Sequence, residues 1–218
     1  ASLLFVMAMV TVFITGRQET FAGNKPYYIK VNKGTNVVTV YKSNGTPDRA
    51  FVCSTGSATP VGTFSTSQKL RWHVLMGPSY GQYCTRITGS ILFHSVWYYT
   101  NRDKASQSTI QYNRLGTTAS HGCVRLTVGD SKWIYDNCPL GTKVTVFNGS
   151  SKDDPLGKPV AITVSTASRR GWDPTDPDSA NPYLDKEPTI TLDKNSYTVN
   201  FGSRLDIRDI ASARTAYG

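Results

Sequence analysis

The stretch Ser120-His121-Gly122-Cys123-Val124-Arg125 brings together residue types that can do nucleophilic chemistry. A thiol attacks well only as thiolate, and a pKa of about 8.5 leaves little of it ionised at neutral pH, so a working Cys needs an imidazole and N–H donors nearby. Gly122 lets the chain turn tightly and present the amides of Gly122 and Cys123. A helix starting near Thr127 would point its positive end toward the same place. Arg125 is suited to fix a carboxylate. His94 ends the apolar run Ile91-Leu92-Phe93 and is followed by Ser95, which makes it a rigidly held candidate base. The order His before Cys is the reverse of that in papain-like hydrolases. The plain alternatives are a small buried Cys in a tight turn and a structural His at a strand end.

The elements that must position these groups are short β runs parted by turn residues, the pattern of a mainly β domain. Tyr28 to Val31 and Asn36 to Tyr41 flank a hairpin turn at Lys33-Gly34. Ser43-Asn44-Gly45 reads as a second hairpin with a type I′ turn, leading into Arg49 to Ser54. Thr59-Pro60-Val61-Gly62 is a turn, and Thr63 to Ser65, Arg71 to Leu75, Tyr83 to Ile87 and Ser90 to His94 follow as strands. Thr127 and Asp130 cap one short helix over Ser131 to Asp136, stopped by Pro139 and Gly141. Thr142 to Phe147 alternates as a closing strand, which sets a domain over residues 27–149.

Residues 150–188 carry Pro155, Pro159, Pro174, Pro177, Pro182 and Pro188 among many Asp and Ser, and read as an extended tail or linker in which Val160 to Val164 offers one strand. Residues 189–218 hold two strand-like pieces, Thr189 to Leu192 and Ser196 to Phe201. They are too few to bury a core alone and read as the truncated start of a further module, weakly similar to bacterial immunoglobulin-like repeats.

The length of 218 residues suits one domain with appendages, at about 150 residues per domain. With 39% hydrophobic and 18% charged residues, the composition is globular and excludes wholesale disorder, collagen and a polytopic membrane protein. Against 15 acidic residues stand 24 Lys and Arg, a net charge of +9 that suits an anionic partner. The basic residues are scattered singly, which argues against nucleic acid. Ser2 to Ile14 is an uncharged apolar run, shorter than the roughly 20 residues of a membrane span and of signal-peptide length. Residues 1–16 therefore read as a signal peptide or membrane anchor, 17–26 as a linker, and the expected location is extracytoplasmic. If Cys123 stays free, Cys53, Cys84 and Cys138 allow at most one disulfide, whose pairing spacing does not fix.

Taken together, Ser54-Thr55-Gly56, Thr59-Pro60-Val61-Gly62-Thr63-Phe64, Phe93-His94-Ser95 and Ser120-His121-Gly122-Cys123 with Arg125 resemble the L,D-transpeptidases of bacterial cell walls, the YkuD-type catalytic domain, over about residues 27–149. The resemblance implies a mainly β, β-sandwich-like fold without cofactor or metal. It implies Cys123 as nucleophile, His94 as general base and Ser95 as the residue that orients His94 through its backbone carbonyl. Ser120, His121, Gly122 and Arg125 would line the oxyanion and substrate site. The implied reaction takes a peptidoglycan tetrapeptide stem, forms a thioester on Cys123 with release of D-Ala, and passes the acyl group to an acceptor amine. With water as acceptor, the same site is an L,D-carboxypeptidase. The implied surroundings are an anionic cell wall, with membrane anchoring through the N-terminal segment.

Two departures stand out. Between His94 and Ser120 lie 25 residues, more than is usual in the family, including Trp97-Tyr98-Tyr99 and Tyr112; the interval reads as an enlarged lid or substrate loop. Arg125 stands where many members have Asn. The rival readings are a metal hydrolase, since His94, His121 and Cys123 are zinc-ligand types, and a non-catalytic wall-binding module that works through its basic surface.

Overall fold

A computed structural model describes residues 25–184, together with the backbone of two later strands, Thr189–Leu192 and Ala211–Arg214. The apolar segment 1–16, most of the linker to residue 26 and the strand-like piece Ser196 to Phe201 lie outside the described residues.

The chain opens with β1 (Tyr27–Asn32), β2 (Val37–Lys42) and β3 (Pro47–Val52), an antiparallel meander. Gly45 takes a positive φ of 89° at the β2–β3 turn while Asn44 keeps a negative one, so the expected type I′ turn does not form. The Gly45 amide instead closes on the Lys42 carbonyl and the Lys42 amide on that of Thr46, which leaves Gly45 as the one left-handed residue of a three-residue loop. Next come β4 (Gly62–Ser65), β5 (Lys69–Leu75), β6 (Ser79–Thr88) and β7 (Ile91–Ser95), and then two short pieces that sequence patterning did not signal, β8 (Gln107–Ser108) and the four-residue α1 (Thr109–Tyr112). After Cys123 follow β9 (Val124–Leu126), α2 (Val128–Asn137) and β10 (Lys143–Phe147).

These strands form two sheets. One has the order β3-β2-β1-β10-β4, with β1 and β10 parallel; the other has the order β5-β6-β7-β9, with β7 and β9 parallel. Ile29, Val31, Val38, Val40, Phe51, Val144 and Val146 of the first sheet share one core with Ile87, Phe93, Val124 and Leu126 of the second and with Ile134 and Cys138 at α2. The fold is thus mainly β, a sandwich with α2 packed beside it. Trp133 fixes the helix by meeting Tyr27 edge-on at 5.1 Å and Phe51 at 5.9 Å, with Arg49 stacked over it. The Thr127 hydroxyl accepts from the Asp130 amide and starts α2, and Pro139 with Gly141 at φ 83° ends it.

Residues 150–184 open with one 3-10 turn at Ser151–Asp153 and form almost no sheet; only β11 (Arg170–Gly171) pairs, with β8. Val160 to Val164 form no strand, because the segment finds its partners in loops: Val164 is buried against Val52, Val96, Tyr112 and Leu115, and its amide and carbonyl bond the Asn113 side chain. Further on, Asp173 and Asp176 are wholly buried. Asp173 accepts from the Val128 amide at 2.8 Å and from Gln107 at 3.1 Å, and Asp176 accepts from Gln82 at 2.9 Å. The Pro- and Asp-rich segment is therefore strapped across the domain by buried carboxylates. The last two strands, β12 (Thr189–Leu192) and β13 (Ala211–Arg214), pair antiparallel. Among the described residues no helix is long and apolar enough to cross a membrane.

Candidate active site

Strand alternation decides which residues of β7 reach solvent. Phe93 points into the sandwich core opposite Val124, and burial of each contributes about 1.5–3 kcal/mol, which pins the β7–β9 register. Leu92 and His94, one residue to either side, then face the other way. Cross-strand partners share a face, so Arg125, paired with His94, and Arg86, paired with Leu92, lie on that same face. It forms the floor of a cleft of about 630 Å³ lined by His73, Leu92, His94, Arg125 and the loop Ser120-His121-Gly122-Cys123.

The loop that carries Cys123 is held by backbone contacts from Ser54 to Thr59. The Thr55 carbonyl accepts from the amides of Ala119 and Ser120, the Ala58 amide donates to His121, and the Thr59 hydroxyl donates to the Gly122 carbonyl at 2.7 Å. A Cβ at Gly56 would lie 2.2 Å from the Ser120 carbonyl oxygen, so only glycine admits this approach. The Ser120 hydroxyl closes the turn by donating to the Cys123 carbonyl at 2.6 Å.

The Cys123 thiol is partly exposed and lies 3.6 Å from the Ser90 carbonyl oxygen. Burial raises its pKa above the ordinary thiol value, opposed by a backbone hydrogen bond from Leu92 and by the charges of Arg125 and Arg86. Cys53, Cys84 and Cys138 are free but buried; burial pushes Cys84 and Cys138 up to about 12 and Cys53 higher still.

His94 is buried, with Nδ1 2.6 Å from the carbonyl oxygen of Ser95. A carbonyl only accepts, so Nδ1 carries the proton and the lone pair resides on Nε2. Burial lowers the His94 pKa to about 4 against the help of the Ser95 carbonyl, and Arg125 and His73 push it the same way as burial. At neutral pH the imidazole is uncharged and able to accept a proton. His94 and Cys123 line the same cleft, with no hydrogen bond between them.

Of the residues singled out in the sequence, Cys123, His94, Ser120, His121, Gly122 and Arg125 all line this one cleft. Ser95 does not; its carbonyl holds His94, and its hydroxyl accepts from the Gln82 amide and donates to the Val96 carbonyl. Arg125 is buried, donates to Gln111 at 2.7 Å and to the Ala119 carbonyl at 3.0 Å, and has no carboxylate partner among the described residues.

The interval 95–119 is not the expected lid. Tyr98 and Tyr112 are wholly buried, because Tyr98 bridges Tyr80 on one side and Gln107 on the other and α1 packs Tyr112 against Val164. Only Trp97 and Tyr99, alternating with Tyr98, reach the cleft. Its overhanging wall is instead the β5–β6 hairpin, where Val74 and Met76 are exposed. His73, Gly81, Arg86 and Gln111 were not anticipated; no local pattern marks them, since each depends on pairing with distant residues. Among the described residues no three His, Cys, Asp or Glu side chains gather as metal ligands.

YciB of Bacillus subtilis (strain 168), which carries an L,D-transpeptidase name, is 41% identical over 93 residues, 41% of this chain and 46% of YciB. An L,D-transpeptidase of Mycobacterium tuberculosis H37Rv is similar at 23% identity and a TM-score of 0.47, covering 56% of this chain and 58% of that one. A fused Zn-dependent amidase/peptidase/peptidoglycan-binding domain-containing protein of Clostridium acetobutylicum ATCC 824 is similar at 26% identity and a TM-score of 0.44, covering 56% and 52%. The chain spans about half the length of these relatives. The family model of the L,D-transpeptidase catalytic domain matches residues 26–146, more than half of the 218 residues, and the chain belongs to that family, YkuD.

Proposed function

We propose that this cleft cross-links peptidoglycan by acyl transfer, with Cys123 as nucleophile and His94 as general base. The observation that carries the reading is the tautomer fixed on His94: its Nδ1 proton is committed to Ser95, which leaves the Nε2 lone pair for the cleft it shares with Cys123. In the first step the Cys123 proton passes to Nε2 and the thiolate attacks the carbonyl that precedes the terminal D-Ala of a tetrapeptide stem. The C–N bond then breaks, the proton on Nε2 goes to the departing amine, and a thioester remains. In the second step the amine of a neighbouring stem attacks the thioester carbonyl, gives its proton to His94 and releases the thiol.

Among the described residues, no group accepts a hydrogen bond from the amides of Gly122 and Cys123. They are the donors for both tetrahedral oxyanions, a contribution typically about 3 kcal/mol per donor. Arg125, a buried cation without an acidic partner among the described residues, takes the terminal carboxylate of the stem, which selects donors that end at that residue. The exposed His121 lines the entrance. Such substrates lie outside the cytoplasm, and the net charge of +9 suits an anionic wall.

Incubation with a defined tetrapeptide is expected to release D-Ala and yield cross-linked dimer, and Cys123→Ala to abolish both while leaving the fold intact. Release without dimer would identify water as the acceptor. A carbapenem is expected to add its mass to Cys123. Addition to Cys53, Cys84 or Cys138 instead, or no D-Ala release at all, would overturn the reading.

A further inference from the structure

We infer that Arg86 is a second carboxylate anchor, making the cleft selective for acyl donors with a free carboxylate on the side chain of the residue whose carbonyl Cys123 attacks. The inference rests on the function proposed above and extends it to the chemistry of that residue.

The sheet register carries the argument. Arg86 on β6 pairs with Leu92, and Arg125 on β9 pairs with His94, so the two guanidinium groups flank β7 from opposite sides, two residues apart along it and on one face. At ordinary strand spacings their Cα atoms stand about 12 Å apart. Cys123 lies between them in chain and space: it immediately precedes β9, and its sulfur approaches the backbone of Ser90 and Leu92. A stem whose terminal carboxylate sits on Arg125 therefore crosses the sulfur and presents the preceding residue to Arg86.

Arg86 is built for that role. It is half-buried, and its fork is fixed by donation from Nε to Gln68 at 3.0 Å and from Nη1 to the Gly89 carbonyl, which leaves further N–H groups to meet a ligand. No Asp or Glu lines the cleft among the described residues. A carboxylate arriving there meets a fixed cation with no competing anion. A primary amide at the same place loses the charge, and a lysine ammonium meets only like charge.

The test uses three synthetic tetrapeptides that differ only in the third residue: a diamino diacid with its distal carboxylate free, the same residue with that carboxylate amidated, and lysine. Wild-type protein is expected to favour the free acid over both others by at least about tenfold in kcat/KM, and added salt to shrink that preference. Arg86→Gln is expected to bring the acid-to-amide ratio close to one, and Arg86→Lys to keep most of it. Equal wild-type turnover of acid and amide, or an undiminished ratio in Arg86→Gln, overturns the inference and leaves the transpeptidase reading standing. No thioester on Cys123 with any donor overturns both. Should Arg86→Gln fail to fold, the wild-type ratio and its salt dependence decide the matter alone.

Discussion

Gly81 on β6 lies so close against His94 on β7 that a Cβ at residue 81 would sit 3.0 Å from the imidazole Nδ1 and 3.3 Å from the His94 Cβ. A side chain at residue 81 would crowd the ring that donates to Ser95. Gly81→Ala is expected to push the ring by a few tenths of an ångström and to lower kcat about a hundredfold with a smaller change in KM, since in the proposed reaction His94 is the general base and its misplacement costs rate more than binding. Steady-state kinetics check this. Unchanged kcat would show that the Ser95 contact does not orient the base.

The pH dependence follows from the same ring. The proposed reaction needs neutral His94, which exists above its folded pKa, so kcat/KM is expected to be lost as pH falls through about 4 instead of through the usual histidine range near 6.5. Arg125 helps hold that pKa down. Arg125→Gln removes a positive charge, makes protonation of His94 easier and moves the acidic limb upward. It also takes away one of the charges that lower the Cys123 pKa. A wild-type limb near 6.5, measured on a tetrapeptide, would contradict the burial that sets the value.

Gly56→Ala tests the clamp on the nucleophile loop. The new Cβ would lie 2.2 Å from the Ser120 carbonyl oxygen and 2.6 Å from the His121 carbonyl carbon, both backbone atoms that no rotamer change can move aside. The expected cost is about 2–4 kcal/mol of stability, the range for a forced backbone displacement, together with loss of carbapenem addition at Cys123. Thermal unfolding and mass spectrometry read the two effects separately.

Asp173→Ala tests the strap. This buried carboxylate accepts from Val128, Gln107 and both the amide and hydroxyl of Thr175. Its removal leaves those donors short of a partner at about 1–3 kcal/mol for each one that stays buried. At about 2–4 °C per kcal/mol for a chain of this size, Tm should fall by at least about 5 °C. Amide exchange should quicken at Val128 and across residues 171–181. Unchanged Tm would show that the segment after β10 adds nothing to the domain.

How much of this was legible in the sequence follows the range of the interactions involved. The alternation of β1, β2 and β10, the Phe93-His94 strand end, and the Thr127 cap with its Pro139 stop are set by neighbours a few residues away, so their residue types announce them. The Asn44-Gly45 turn shows the limit even there, since strand pairing at Lys42 and Thr46 chose a different loop. The sequence by itself determined a mainly β domain and put His94, Ser120, Gly122, Cys123 and Arg125 forward as its chemistry. Only the tertiary structure decided that these groups share a cleft, that Gly81 leaves room beside the imidazole, that Arg86 faces the same floor, and that Tyr98 and Tyr112 are core instead of lid. It also decided that an acid 45 residues beyond Val128 caps the start of α2. Each of these depends on which strand or loop packs beside which. That choice is made by burial summed over the whole sandwich, and no local spacing of residues carries it.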